Sequence, residues 1–319
     1  MQRLHKRNIA WLGLIIAGFI GLYVLNATGI INSYYRITLM TIMLNIIYAV
    51  GLNLVLGVAG QFSLGHAGFI AIGAYAAAIF SKAFENPYLG LGVGMLVGVI
   101  LAVVVALLVG IPTLRLKGDY LAIATLGVSE IIRVLINNWR SVTNGPAGIS
   151  EIPTITNWQI VYVFMVITTI IVLNYVYSST GRATRAIEQN EIAAEAMGVR
   201  VTRYKVGAFV VGAATAAIGG ALQATMLGVV TPNDYTFNRS IDILIFVVFG
   251  GIGSFTGTFI AAIVLGIINL VLQDYGQLRM VLYAIALILI MIFKPGGLMG
   301  TKEFKFGQLI DRSSDKEVV

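Results

Sequence analysis

Cysteine is absent from this chain, and histidine occurs only at His5 and His66. The first absence removes disulfide frameworks, thiolate metal sites and cysteine nucleophiles together. The second leaves no histidine cluster to hold a metal. Charge is also scarce: 11% of the residues are Asp, Glu, Lys or Arg, against about a quarter in soluble domains, so the chain lacks the polar surface to face water all round. No G-x-x-x-x-G-K-S/T loop is present to hydrolyse nucleotide, and no G-x-S-x-G or H-E-x-x-H arrangement. Gly251-Ile252-Gly253 begins like a dinucleotide loop but lacks the third glycine in register. These gaps argue against an enzyme, and no catalytic residue, metal site or cofactor is expected.

What fills the chain is apolar: 58% of its 319 residues are hydrophobic and mean hydropathy is +0.90. A helix needs about 20 apolar residues to cross a bilayer. Candidate spans are 9–25, 37–56, 88–110, 119–137, 158–176, 206–227, 255–272 and 279–293, with two shorter stretches, 67–81 and 241–250, beside glycine-rich breaks. The first run is too long for a signal-peptide core and no cleavage site follows it, so it is read as a retained span. Counting every stretch gives ten crossings; treating the short ones as re-entrant gives eight. Loop charge separates the two. With ten crossings and an internal N-terminus, Arg115, Lys117, Arg182, Arg185, Arg200, Arg203, Lys205 and the bases of 294–319 fall inside, leaving Arg36, Lys82, Arg140 and Arg239 outside. That is the distribution of cytoplasmic loops, whereas eight crossings put seven bases on the wrong face. The expectation is an all-α, polytopic integral membrane protein. It has about ten transmembrane segments, two of them short or broken, and both termini are cytoplasmic. Segment 1–8 is the N-terminal tail, 9–293 the membrane domain and 294–319 the C-terminal tail. The same placement explains the formal charge of +7 without a nucleic-acid partner.

Small residues recur every four positions at Gly90, Gly94 and Gly98 and at Gly212, Ala216 and Gly220, a spacing that lets helix backbones approach closely. Between spans six and seven lies a charged segment, 178–205. Ser179 or Thr180 is placed to start a helix there and Gly198 to end it. Ala183, Ala186, Ile187, Asn190, Ala194 and Met197 share one face of that helix. A modest apolar stripe among many charges suits docking on a protein partner. The other reading, a helix on lipid headgroups, sits poorly with Glu188, Glu191 and Glu195.

Two runs interrupt the apolar text: GVAGQFSLGHAG at 57–68 and GGIGSFTG at 250–257. They share Gly-x-x-Gly-x-Phe-Ser/Thr. Broken backbone at membrane depth needs protein or a water-filled cavity to satisfy it, and paired breaks point to a transport pathway. Gln61, Ser63, His66 and Ser254 are therefore candidate pathway residues, although a lone histidine beside a break is read as a hydrogen-bonded structural residue rather than a proton relay. Glu130 lies about 17 Å along its span from Asp119, with Arg133 one turn beyond. Charges at that depth pair or face a cavity, and the two readings are compatible. Asp242, at the start of its short span, is assigned to the interface. An ion-coupled secondary carrier using Glu130 and Arg133 is one functional class these residues allow.

Five stretches resemble the LivM-type permease family of branched-chain amino-acid ABC importers: GQFSLGHAGFIAIGAY at 60–75, GDYLAIATLGVSEIIR at 118–133, TNGPAGI at 143–149, GRATRAIEQNEIAAEAMG at 181–198 and FKPGGLMG at 293–300. The resemblance implies one half of a heterodimeric pore in a bacterial cytoplasmic membrane. Its partners would be a sister permease, two cytoplasmic ATP-binding subunits and an extracytoplasmic binding protein. It implies that the helix at 182–197 is the coupling helix seated on an ATPase, with Arg182, Arg185, Ile187, Glu188, Glu191, Ala194, Met197 and Gly198 at the contact. Leucine, isoleucine and valine are the implied cargo, with urea or short amides as the alternative within the superfamily. Glu188 stands where the family usually carries a basic residue, and Thr256 and Thr258 replace a Trp and a Pro.

Overall fold

A computed structural model describes residues 32–114, 116, 118–272 and 296–300, with scattered positions in 13–28 and 278–292. The tail 1–8, Arg115, Lys117 and most of 279–319 lie outside the described residues, and with them the last candidate span. Among the described residues the elements are helical, with no strand beyond a single antiparallel bridge between Ile149 and Val230. Five helices are long and apolar enough to cross a membrane: Tyr34–Val58, His66–Ala83, Pro87–Thr113, Trp158–Tyr177 and Val201–Leu227.

In chain order the helices are α1 (Ile15–Val24), α2 (Ser33–Asn53), α3 (His66–Ala83), α4 (Pro87–Thr113), α5 (Asp119–Asn138), α6 (Arg140–Thr143), α7 (Trp158–Tyr177), α8 (Ser179–Gln189), α9 (Glu191–Ala196), α10 (Val201–Leu227), α11 (Phe237–Gly250) and α12 (Phe255–Val271). The stretch at 67–81, short in sequence, is a continuous 18-residue helix. The one at 119–137 is a full helix that is not among the apolar spans, because Glu130, Arg133, Thr125 and Ser129 dilute it. The stretches at 241–250 and 255–272 form one pair, bent by 118° at the second glycine break.

A helix that is apolar all round belongs in a core, and α2 obeys: from Met43 to Leu56 every side chain is buried. The α3 helix is held between α4 and α10 by small residues. A Cβ on Gly94 would stand 2.7 Å from the Cα of Ala77, and one on Gly98 would stand 3.0 Å from the Cα of Gly73. On the opposite face Gly73 rests on the carbonyl of Ala217 and Gly220 on that of Ile70. Both four-residue ladders are thus backbone contact surfaces, where dispersion replaces the hydrophobic effect that lipid cannot supply. The α4 helix starts cleanly because Asn86 accepts from the N–H of Tyr88 and Pro87 occupies the first position, as capping predicts.

A methyl group has no room at Gly73 or Gly220. Each Gly→Ala change there is expected to cost about 1–3 kcal/mol of stability. Gly92→Ala, with nothing within 4 Å of its Cβ, is expected to leave the unfolding temperature of the detergent-purified protein unchanged or slightly raised.

Candidate functional site

The α2 helix does not simply stop. Its ladder widens into a π turn over Leu54–Val58, and Gly60 takes φ +63° to reverse the chain. The following segment then turns back along α2, with the N–H of Gln61 on the carbonyl of Val55 at 3.0 Å. Three neighbours close on this first break.

The first neighbour is the second break. Asn53, fully buried, uses its whole amide there. Its Oδ1 accepts from the N–H of Gly253 at 2.9 Å, and its Nδ2 donates to the carbonyl of Ser254 at 3.0 Å and the hydroxyl of Thr258 at 2.9 Å. Gly57 lies directly on Gly253, since a Cβ there would stand 2.6 Å from its Cα. The two related glycine runs therefore meet in space. Ser254 is fully buried and caps α12 by accepting from the N–H of Gly257 at 3.1 Å.

The second neighbour is the charged segment. Gly60 packs on Glu188, where a Cβ would lie 3.1 Å from Cγ. Gln61 Nε2 donates to the carbonyl of Lys205 at 3.0 Å, and Lys205 pairs with Glu191 at 3.0 Å. The segment differs from the expected single helix. Ser178, not Ser179 or Thr180, caps α8, and Asn190 breaks the helix and caps α9 by accepting from the N–H of Ala193 at 3.0 Å. That break resets the face. Gly181, Thr184, Ile187 and Ala194 are buried, whereas Ala186, Asn190 and Met197 point outward. Gly198, at φ +83°, closes α9. Arg182 donates to the carbonyl of Tyr177 at 3.2 Å, and Arg185 lies over the Tyr177 ring at 5.9 Å. Two large apolar side chains stay uncovered, Ile192 at 78% and Met197 at 85% exposure; Ile192 was not legible as exposed without knowing where the break falls.

The third neighbour is α5. The N–H of Leu64 donates to Thr125 Oγ1 at 3.0 Å, Gly65 lies on the carbonyl of Thr125, and Gly68 lies on Ser129. One step further, Glu130 and Arg133 close a two-bond ion pair at 2.7 and 2.8 Å, with side chains 31% and 28% exposed. Of the six candidate pathway residues, only these two keep such exposure. Gln61, Ser63, His66 and Ser254 are buried at 4% or less and serve the packing of the breaks. Ser63 Oγ, for instance, accepts from the N–H of Gly65 at 3.4 Å. Gln61 Oε1 and His66 Nε2 have no hydrogen-bond partner. Asp242, read in sequence as an interface residue, is exposed on α11.

Comparison with known proteins bears on this arrangement. A family model described as the permease component of branched-chain amino acid transport systems matches residues 34–293. The chain belongs to this family. Among its relatives, the LivM high-affinity permease of Salmonella typhimurium is 35% identical over 81% of this chain and 68% of the relative. The LivM permease of Escherichia coli K12 is 34% identical over the same shares. The Salmonella LivH permease is 25% identical over 80% of this chain and 91% of the relative. No solved structure matches. In this branched-chain amino-acid permease the matched region takes in both glycine breaks, α5 and the α8–α9 pair.

Asn53 was missed in sequence, although an asparagine inside an apolar span four residues before Gly57 was a visible signal. Asn53→Ala leaves the N–H of Gly253 buried without its acceptor. It is expected to cost about 1–3 kcal/mol, read as a lower unfolding temperature of the purified protein.

Proposed function

We propose that this chain is the membrane-spanning permease subunit of an ABC importer for branched-chain amino acids, driven by ATP hydrolysed on partner subunits. Family membership supports the class. The observation that carries the mechanism is that one break touches the charged α8–α9 pair, the second break and α5 at once. In this reading the chain crosses the bacterial cytoplasmic membrane ten times with both termini inside. The α8–α9 pair is the cytoplasmic coupling element, and a sister permease completes the pore. An extracytoplasmic binding protein delivers cargo.

The α8–α9 pair is built for that role. Its inner face is fastened to the break and to the end of α7. Its exposed side offers Ile192 and Met197, apolar side chains on a helix pair whose other exposed residues include Arg182, Arg185, Gln189 and Glu195, the composition of an apolar anchor with polar surroundings. Movement of a docked ATPase would reach Glu188 and Lys205, then Gly60 and Gln61, and from there Thr125 and Gly253. Glu130 and Arg133, bonded to each other yet partly exposed near mid-depth of α5, mark the side of that helix covered by water or by the sister subunit. An isolated intramembrane pair facing lipid would be costly.

Two outcomes test the proposal. Ile192→Glu and Met197→Glu are each expected to reduce co-purification of the ATP-binding subunits at least about tenfold, as loss of an interface anchor does, while leaving the yield of folded permease unchanged. Deletion of the chain is expected to abolish uptake of labelled leucine at low concentration. Persistent leucine uptake with lost urea uptake would reassign the cargo.

A further inference from the structure

Both ends of α11 are fastened to α2, and the fastenings fix its depth. At its C-terminal end Gly253 is bonded to Asn53. At its N-terminal end Arg239 Nη2 donates to Asn45 Oδ1 at 3.2 Å, and the guanidinium lies 5.4 Å from the centre of the Tyr48 ring. Asn45 stands about 17 Å along the Tyr34–Val58 helix, which is about 37 Å long. The first turn of α11 thus opens near the middle of the spanning depth. The α10 helix ends at Leu227, one turn past Gln223, whose side chain accepts from Tyr48 Oη at 2.7 Å. The segment 228–236 starts beside the loop that precedes α7, Val230 pairing with Ile149 next to the Ser150 carbonyl that accepts from Lys82 at the end of α3, and runs from there to α11.

We infer that the first two turns of α11 form an α-amino-acid binding site within the transport path, Arg239 taking the carboxylate and Asp242 the ammonium group. This rests on the importer reading given above. Arg239 and Asp242 are spaced as Glu130 and Arg133 are, three residues apart on one helix. The α5 pair closes at 2.7 Å, whereas among the described residues Arg239 makes no ion pair with Asp242 or any other carboxylate. An opposite-charge pair left open at mid-depth matches a zwitterion, whose two charges satisfy both partners at once. The helix start adds to this: Thr236 provides no side-chain cap and no acid occupies the first turn, so its positive end is free for an anion, as in half-helices that meet substrate carboxylates. Asn238 and Asp242, one turn apart, are both exposed, which gives the ligand an approach.

Two buried side chains beside this turn have polar atoms without partners. His66 Nε2 is one; the adjacent N–H of Ala67 donates to Ser240 Oγ at 3.0 Å, placing it against the same turn. Tyr75 Oη is the other, on a ring 6.5 Å from that of Tyr235. Native interiors rarely leave such groups unmade. Two of the five such atoms among the described residues lie here, where a small polar ligand would give them partners.

The chain has no cysteine of its own, so Asn238→Cys in the assembled importer reports on the site directly. In vesicles it is expected to react with a water-soluble thiol reagent. Saturating leucine should slow the reaction about tenfold, in keeping with occupancy of a specific site, while leucinamide, which has no carboxylate, should not. Arg239→Gln should remove the protection. If that variant fails to assemble with its partners, Arg239→Lys takes its place and should weaken protection; equal protection counts against the site. A cysteine that does not react, or equal protection by leucinamide, overturns the inference. Leucine uptake by the same vesicles separates the failures. Uptake with an unprotected cysteine overturns this site alone, whereas no uptake by the unmodified complex overturns the importer reading.

Discussion

A backbone that leaves helical geometry inside a bilayer must find every hydrogen bond within the protein. That constraint organises this molecule. The break after α2 is admissible because the N–H of Gln61 is taken up by the Val55 carbonyl and that of Leu64 by the Thr125 hydroxyl, while the Gln61 side chain donates to the carbonyl of Lys205. The second break is admissible because Asn53 reaches into it. Glycine at 57, 65 and 68 lets each neighbour come near enough to do this, since any side chain would strike Gly253, Thr125 or Ser129. Satisfying the break therefore forces the charged α8–α9 segment, the second break and α5 to share one point.

That shared point has mechanical consequences. Packed interiors transmit displacement because they are dense and hold few alternative arrangements. Glu188 and Lys205 meet the break at Gly60 and Gln61, and Thr125 and Gly253 meet it at Leu64 and Gly57. A shift of α8 and α9 cannot be absorbed in loose loop, because the break has no free length. The polar faces of α5 and α11 lie beyond it, the first carrying the partly exposed Glu130 and Arg133 and the second the exposed Asn238 and Asp242. A displacement of α8 and α9 thus has a short, continuous route to α5 and α11.

Much of this was legible in the residues. The apolar runs located α2, α4, α7 and α10 to within a few positions, since a span is a property of local composition. The ladders at Gly90–Gly98 and Gly212–Gly220 were visible as spacing, though their partners, α3 for the first and α2 and α3 for the second, were not. Other features depend on contacts distant in sequence. Asn53 looked like a polar intrusion until Gly253 came beside it. The single amphipathic helix expected over 182–197 is two, because Asn190 prefers capping to continuing a helix, and the break separates exposed Met197 from buried Ile187 and Ala194, which the sequence put on one face. Gln61, Ser63, His66 and Ser254 were chosen for polarity near the breaks. Polarity identifies a group that needs a partner, and it does not say whether that partner is solvent or the protein's own backbone.

The central claim is that the first break carries motion from the α8–α9 segment to α5, and Gly127 offers a probe for it, since its Cβ position is open to a distance of 4 Å. In the assembled complex, the rate at which Gly127→Cys reacts with a water-soluble thiol reagent would be measured with and without ATP. The account predicts that ATP changes this rate severalfold, and that adding Gly60→Val, which strains the φ +63° turn and presses on Glu188, abolishes the change. An ATP response that survives Gly60→Val undiminished would contradict it.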